Sequence, residues 1–152
     1  MMRINIPVED AVFYDPVFTA EDMNGMQALG LSVINGDEAK VALHPLPGPT
    51  ILFMPHCDIE LHQKVLESNW SFSGLRKLLM IGNPLEQYPL TTEKEQLETV
   101  FSAVGAIAHC RHWDSRAIPD TLSDDKAFIA LCVQYIRCDI DENELSALFA
   151  KE

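Results

Sequence analysis

The stretch "TILFMPHCDIEL", residues 50–61, decides the predicted fold. It opens with an uninterrupted apolar run, a pattern typical of a strand that is covered on both faces of a parallel sheet. Asp58 is a favourable helix N-cap residue, and Leu61 begins the apolar spacing of an amphipathic helix. The stretch therefore predicts a buried strand that leads into a helix, with His56 and Cys57 in the connection between them.

The same succession of strand and helix extends to both sides of this stretch. The predicted strands are residues 11–14, 31–34, 38–43, 50–55, 76–81 and 106–113. The predicted helices are residues 19–30, 58–70, 91–105 and 141–149, while residues 127–136 fit either element. Continuously apolar strands that alternate with helices predict an α/β fold. We expect a three-layer, Rossmann-like open sheet, mostly parallel, with helices on both faces.

Capping signals mark the start of two of these helices. Thr19 with Asp22 is a weaker form of the capping box, and Gly30 is placed to end that helix. Thr92 with Glu95 is a full capping box, which predicts a continuous helix from there to the next glycine.

The length of 152 residues fits one domain, with a core large enough to need no metal or disulfide. We expect an N-terminal segment over residues 1–10, in which "RINI" fits a short replacement strand. The α/β domain then covers residues 11–138, and an acidic C-terminal helix covers residues 139–152. A hydrophobic fraction of 47% argues against disorder.

The charge and the apolar runs exclude several classes of protein. Eleven basic against 23 acidic residues give a formal net charge of −12. Such a surface repels phosphate backbones, so direct binding of nucleic acid is disfavoured. No apolar run approaches the roughly 20 residues of a membrane span, and the start shows no secretory signal. We therefore expect no membrane insertion.

The cysteines show no paired spacing and lie in apolar contexts. In a chain without a secretory signal, this pattern predicts free thiols in a reducing compartment. The four positions are Cys57, Cys110, Cys132 and Cys138.

Unusual polar residues follow three of the predicted strands. Asp15 follows the first strand, His56 and Cys57 follow the strand at 50–55, and Asn83 follows the strand at 76–81. In open α/β sheets, ligands bind in the crevice outside the carboxyl ends of the strands. These four residues are therefore the candidate ligand-binding site, and no catalytic role is assigned to any of them.

Each candidate also has a structural interpretation. Asp15 precedes a proline, where a turn bond to its own backbone is common, and Asn83 fits turn chemistry. Asp58 is more easily explained as a helix cap than as a catalytic group. Cys57 near a helix N-terminus is either a thiol of lowered pKa or a buried inert one. His56 fits a ligand, an acid or base, or a hydrogen-bonded spacer.

Metal binding and nucleophilic catalysis find less support. "HCRH" at residues 109–112 offers His109, Cys110 and His112, but neighbours on a strand point to opposite faces of the sheet. Neither this cluster nor His56, Cys57 and His62 shows the paired spacing of a zinc site, so we predict no metal. The sequence also lacks GxSxG, P-loop and HExxH motifs.

Five segments in this order resemble the sensitivity-to-red-light-reduced (SRR-type) domain family. They are "VFYDPVFTAED", "LGLSVI", "PTILFMPHC", "VLESNW" and "LLMIGNPLEQY". The resemblance is close over residues 11–90, weaker to residue 136 and absent in the acidic tail. The positions that match the family motif are Asp15, His56, Cys57, Asn69, Trp70, Gly82 and Asn83.

The resemblance implies a non-enzymatic regulatory protein, cytoplasmic or nuclear. Plant members are associated with circadian-clock and light-signalling regulation. Animal and fungal relatives are associated with haem biosynthesis and microtubule stability, which makes haem a candidate ligand by association. The alternative is a small-ligand-binding protein or enzyme, for a nucleotide-like molecule or haem, that uses Asp15, His56, Cys57 and Asn83.

One departure from the family bears on both interpretations. The family begins with an additional strand and a glycine-containing turn, where this chain has only "MMRINIPVED". Without that glycine loop a phosphate cradle is not expected. The departure also predicts an unpaired strand edge, which favours self-association or a protein partner.

Overall fold

A computed structural model describes residues 6–15, 17–34, 45–119 and 130–149 of the chain. The chain divides into two compact units, Met1–Leu43 and His44–Glu152. The domain boundaries expected at residues 10 and 138 stay predictions. The strand predicted at 38–43 and part of the loop before residue 130 lie outside the described residues.

The first unit pairs two short strands around a helix. Strand β1 (Val12–Phe13) lies parallel to strand β2 (Ser32–Val33), and helix α1 (Ala20–Ala28) connects them. The predicted capping box is confirmed, since the Asp22 N–H donates to Thr19 Oγ1 over 3.2 Å and the Thr19 N–H to Asp22 Oδ2 over 2.9 Å. Gly30 follows the helix with a φ of 79°, a left-handed conformation that glycine adopts without strain.

The second unit contains a four-stranded mixed sheet. Its strands are β3 (Thr50–Met54), β4 (Leu78–Gly82), β5 (Trp113–Ala117) and β6 (Cys132–Ile136), in the order β3-β4-β6-β5. Strands β3 and β4 are parallel, whereas β6 is antiparallel to both of its neighbours. The α/β class and a strand at 50–55 are therefore confirmed. The expected burial of that strand is wrong, because β3 lies at the edge of the sheet, where only Met54 is buried and Phe53 is 58% exposed. Because β6 reverses direction, a Rossmann-like arrangement is not confirmed.

Short helices connect and flank these strands. They are α2 (Ile59–Ser68), α3 (Phe72–Leu75), α4 (Tyr88–Thr91), α5 (Lys94–Thr99), α6 (Ser102–Ala108) and α7 (Glu142–Phe149), with 3-10 turns at Val8–Asp10 and Leu85–Gln87. Among the described residues, no helix is long and apolar enough to cross a membrane.

The single helix predicted over residues 91–105 is wrong. The chain leaves helical geometry at Phe101 (φ −116°, ψ 43°), so two helices form, and Glu93 rather than Thr92 stands at the N-cap of α5. The break folds α6 back onto α5. A Cβ at Gly105 would lie 2.6 Å from the Leu97 carbonyl oxygen, so only glycine permits this approach.

The strand predicted at residues 106–113 is also wrong. Residues up to Ala108 belong to α6, and β5 begins only at Trp113. The error has a physical cause, because Val104 and Ile107 are buried on a helix whose apolar run looks like that of a buried strand. The ambiguous segment 127–136 contains strand β6.

One face of the sheet carries the core. Along β4, Leu78, Met80 and Gly82 are buried while Leu79 and Ile81 are half-buried, and β6 shows the same alternation. The two faces of these strands are thus unequally buried, whereas the uninterrupted apolar runs predicted cover on both faces without such an alternation. The apolar core also contains further fully buried side chains: Leu66, Leu75, Leu85, Val104, Ile107, Leu131 and Leu145.

Candidate functional site

The loops that follow the parallel strands β3 and β4 are held together by Asn83. Its Oδ1 accepts a hydrogen bond from the His56 N–H over 3.0 Å, and its Nδ2 donates to the Cys57 carbonyl over 3.2 Å. His56 itself has a φ of 55°, in the left-handed region that is uncommon outside glycine. The amide of Asn83 therefore fixes the backbone of the Pro-His-Cys connection.

Gln134 on the antiparallel strand β6 supports this arrangement from within the core. It is fully buried. Its Nε2 donates to the Asn83 carbonyl over 2.9 Å, and its Oε1 accepts from the Leu85 N–H over 2.9 Å. Sequence reasoning missed this residue. The available signal was a lone amide at the centre of the apolar run "LCVQYI", a place where a polar side chain needs buried partners.

Gly82 permits the close approach of the two strand ends. A Cβ at this position would lie 2.5 Å from the carbonyl oxygen of Met54 on the neighbouring strand. Asn83 therefore follows directly on a point where the β3 and β4 backbones touch. This contact explains why a glycine precedes the asparagine that joins the two loops.

Asp58 caps helix α2, as the sequence predicted. Its Oδ1 accepts from the Leu61 N–H over 2.8 Å. The carboxylate therefore occupies the position at the helix N-terminus where α/β proteins commonly bind an anion. The helix cap interpretation of Asp58 is confirmed.

His62 lies near the start of α2, and its ring is next to that of Tyr88, with ring centroids 5.9 Å apart. The His62 ring is fully buried, and its Nδ1 lies 2.7 Å from the Asp58 carbonyl oxygen, so Nδ1 carries the hydrogen. Burial lowers the pKa of His62, and the bond to the Asp58 carbonyl and the charge of Asp58 oppose that shift. The ring is therefore neutral near neutral pH. The Tyr88 hydroxyl approaches Nδ1 at 3.4 Å.

An open cleft of about 480 Å³ lies at this edge of the second unit. The described residues of its lining combine polar and apolar side chains around the Tyr88 ring: His56, Asn83, Pro84, Gln87, Tyr88, Thr91 and Ala130. Burial raises the pKa of the Tyr88 phenol, a hydrogen bond with Asn83 lowers it, and the charges of Asp58, Cys57 and Glu60 raise it further. The cleft can take up a small polar group. Its described residues do not form a catalytic set with an activated nucleophile.

The structure brings some of the predicted site residues together and uses others elsewhere. His56 and Asn83 line the cleft, while Cys57 is half-buried and meets Asn83 through its carbonyl. Asp15 belongs to the first unit, where its Oδ1 accepts from the Val17 N–H over 3.0 Å. That contact is the turn bond expected of an Asp-Pro pair. The convergence of Asp15 with the other three stays a prediction.

Two further positions of the family motif have structural contacts. Asn69 is buried; its Oδ1 accepts from the Leu46 N–H over 2.9 Å and its Nδ2 donates to the Val65 carbonyl over 2.9 Å. Trp70 packs edge-to-face against Phe149, with ring centroids 5.8 Å apart. Both residues therefore stabilise the end of α2.

Within the part of the chain that the structure describes, no group of three potential metal ligands is found. His109 lies at the end of α6, where its Nδ1 is 2.8 Å from the Gly105 carbonyl oxygen. His112 is buried and its Nε2 accepts from Arg111 Nε over 2.9 Å. The histidines of the "HCRH" segment thus make local contacts in the turn between α6 and β5.

Comparison with known proteins identifies the family of this chain from its sequence. The SRR1 domain matches residues 1–135. Over 115 residues the chain is 31% identical to "Protein SENSITIVITY TO RED LIGHT REDUCED 1" of Arabidopsis thaliana, which covers 74% of this chain and 39% of the plant protein. No solved structure is significantly similar to the chain.

Animal relatives match a shorter part of the chain. The "SRR1-like protein" of Mus musculus is 33% identical over 82 residues, 53% of this chain and 32% of the mouse protein. The "SRR1-like protein" of Drosophila melanogaster is 26% identical over 88 residues, 58% of this chain and 31% of the fly protein. The chain therefore spans less than two fifths of the length of these curated relatives.

Proposed function

Because the chain belongs to the SRR1 domain family, we propose that it acts as a non-enzymatic regulatory protein of the SRR1 type. The family match confirms the resemblance that the motifs indicated. The name of the Arabidopsis relative refers to red-light sensitivity, so the proposed process is the response to light, together with circadian regulation. The proposed site of action is the cytoplasm, the nucleus or both.

The observation that carries this proposal is that polar side chains of the family motif form hydrogen bonds with the backbone. Asn83 holds two loops, Asn69 fixes the end of α2 and Asp15 closes a turn. Polar groups that are used to fix the backbone are not available as acids, bases or nucleophiles. The arrangement supports a rigid surface for recognition rather than a reaction centre.

We also propose how the surface is used. The protein contacts a protein partner or a second copy, through the cleft or along an outer strand of the four-stranded sheet, β3 or β5. The net charge of −12 argues against direct contact with nucleic acid. The parallel strands of the β3-α2-β4 unit support a Rossmann-like arrangement at this edge of the sheet. In the whole protein, we expect helices to cover both faces of the sheet.

A chimera tests the regulatory role. In a plant line that lacks the Arabidopsis protein, a version of that protein whose matching segment is replaced by this chain should restore the response to red light. The Cys57→Ala and Asp15→Asn versions should restore it equally, since no reaction depends on that thiol or acid. Failure of the unsubstituted chimera at normal protein levels would end the proposal. Loss of rescue only with Cys57→Ala would favour catalysis.

A small-ligand-binding protein is the second candidate, because His56 and Asn83 line a cleft at the carboxyl ends of two parallel strands. Titration of haem and common nucleotides against the wild type and His56→Ala tests it. A rise in thermal stability that only the wild type shows would favour this candidate. Unchanged melting with every ligand would leave the regulatory proposal.

A further inference from the structure

Strand β3 forms one edge of the four-stranded sheet of the second unit. Its sequence, "TILFM", contains no charged residue, no proline and no glycine. Natural sheets protect their edges with charged side chains, prolines or bulges, because an unprotected edge pairs with another strand. Strand β5 at the opposite edge is protected in this way, since Asp114 forms an ion pair with Arg116, whose side chain is 71% exposed. Of the two edges, β3 is therefore the one suited to pairing.

The backbone of β3 directs hydrogen-bonding groups outward at this edge. The Thr50 N–H donates over 2.8 Å to the carbonyl of Lys77, the residue before β4. In a parallel ladder, alternate residues direct both backbone groups to the same neighbouring strand. The even-numbered residues of β3 therefore bond to β4, whereas the N–H and C=O groups of Ile51 and Phe53 point away from it. Between described residues, the ladder with β4 is the one that β3 forms.

The side chains of the same two residues give the edge an apolar surface. Phe53 is 58% exposed, and Ile51 is half-buried. Because side chains alternate along a strand, both lie on the face opposite to that of the buried Met54. On this outer face they are aligned with Leu79 and Ile81 of β4, which are half-buried. An apolar strip therefore runs from the edge across β4, as is typical of an interaction surface.

A second copy of β3 fits this edge when the two strands run antiparallel about a two-fold axis at Leu52. Ile51 of each copy then lies opposite Phe53 of the other, and the two residues exchange the backbone bonds for which their outward groups are oriented. An aromatic ring opposite a β-branched side chain is a favourable cross-strand pair. On the other face, Leu52 meets its own counterpart. The edge is thus complementary to itself in both backbone and side chains.

The charge of the chain favours the same surface. Each copy has a formal net charge of −12, so two copies repel each other over long range. Pairing along β3 brings no charged side chain of the strand into the contact. An edge of five residues falls short of the roughly 1,200 Å² that stable interfaces bury, so the expected contact is weak and reversible.

We propose that the chain forms a two-fold dimer in which the β3 strands of two copies pair antiparallel about Leu52 and join their sheets into one. The apolar strips of the two copies then lie side by side on the outer face. This inference rests on the proposed function, because it names the partner, a second copy, and the strand through which a regulator without its own chemistry makes its contact.

Sedimentation equilibrium of the full chain measures the association. The wild type should approach twice the monomer mass as its concentration rises, and added salt should tighten the dimer because it screens the repulsion between two acidic copies. Phe53→Lys puts a charge on the edge and should weaken the dimer at least about tenfold. Val100→Lys is the matched control, since Val100 is an apolar residue of similar exposure (60%) at the end of α5, and it should leave the affinity unchanged.

Two further variants test the backbone pairing and its register. Ile51→Pro removes an outward N–H but no bond to β4, so it should weaken the dimer while the circular dichroism spectrum keeps its strand signal. In a Cys138→Ser background, Leu52→Cys should give a disulfide-linked dimer under mild oxidation, because residue 52 lies opposite its own counterpart. Thr50→Cys, which lies opposite Met54 of the second copy in this register, should not.

A chain that stays monomeric at every concentration, in low and in high salt, would overturn the proposal. So would a dimer that persists in both Phe53→Lys and Ile51→Pro, or one that Val100→Lys weakens equally. Cross-linking of Thr50→Cys in preference to Leu52→Cys would overturn the register. Rescue by the plant chimera together with a monomeric chain would remove only the β3 pairing, whereas failed rescue with a dimer that these variants confirm would remove only the regulatory role.

Discussion

Two fully buried polar residues, Gln134 and His62, connect the core of the second unit to its cleft. Gln134 ties the loop after β4 to β6 through the Asn83 carbonyl and the Leu85 N–H. His62 links the first turn of α2 to Tyr88, which lines the cleft. Neither side chain reaches solvent, so each acts on the site by fixing the position of other groups.

Replacing Gln134 with leucine should destabilise the protein by about 2–3 kcal/mol, because the buried Leu85 N–H and the partly buried Asn83 carbonyl lose their partner. Urea unfolding measures the change. Gln96→Leu at an exposed position of α5 is the matched control and should stay within about 0.5 kcal/mol of the wild type. Similar values for the two variants would contradict the bridging role of Gln134.

His62 should make the stability fall in mild acid. Burial lowers its pKa in the folded state, so below its unfolded value the unfolded chain binds the proton more readily. Stability is complete above about pH 6.5 and decreases as the pH falls through the folded-state pKa. Unfolding free energies at about pH 7.5 and about pH 5.5 should therefore differ less in His62→Gln than in the wild type.

His109 is the control for this pH experiment. Its ring makes the same contact with a carbonyl four residues earlier, but at the surface. His109→Gln should therefore keep the acid sensitivity of the wild type. An unchanged pH dependence in His62→Gln would show that another group is responsible.

At the scale of elements, the cleft depends on how β3, β4 and α2 meet. The two strands run parallel and touch at Gly82, so their loops leave the sheet side by side. Asp58 then begins α2 immediately after the first loop. The cap and the glycine thus determine where His56 and Asn83 are placed.

Loss of the cap should weaken the second unit. Asp58→Ala leaves the Leu61 N–H without its acceptor and should cost about 1 kcal/mol in urea unfolding. Asp58→Ser, which restores an oxygen acceptor, should recover most of that loss. Equal instability of the serine and alanine variants would mean that the cap bond does not stabilise α2.

Gly82→Ala should cost about 1–3 kcal/mol, since its Cβ would lie 2.5 Å from the Met54 carbonyl oxygen and force the strands apart. Gly48→Ala serves as the control, because nothing lies within 4 Å of a Cβ there. Unfolding midpoints compare the two variants. A neutral Gly82→Ala would show that the strand ends separate without loss.

At the scale of the whole molecule, the two units differ in what stabilises them. None of the described residues of the first unit is buried, and its strands contain two residues each. The second unit contains the four-stranded sheet and the apolar core. The family match over residues 1–135 nevertheless extends across both.

A fragment of residues 44–152 should therefore fold by itself. It contains every buried core residue named above, and we expect cooperative urea unfolding and a circular dichroism spectrum with helix and strand. The fragment of residues 1–43 should remain unfolded, as chains near about 40 residues rarely bury enough surface. An unfolded 44–152 fragment would show that the first unit is required for folding.

The sequence by itself determined the elements whose signals are local. The α/β class, the capping box at Thr19, the strand at 50–55 and the Asp58 cap follow from neighbouring residues, because caps and apolar runs act within one turn or one strand. His56 and Asn83 were placed at strand ends for the same reason.

Only the tertiary structure decided the features that depend on residues far apart in the chain. The reversal of β6, the break at Phe101 and the burial of Gln134 each depend on which element packs opposite. A lone apolar run fits a buried helix as well as a buried strand, which is why residues 106–113 were assigned to the wrong element. Hydrogen bonds such as that of Gln134 to Asn83, 51 residues apart, exist only after the chain has folded.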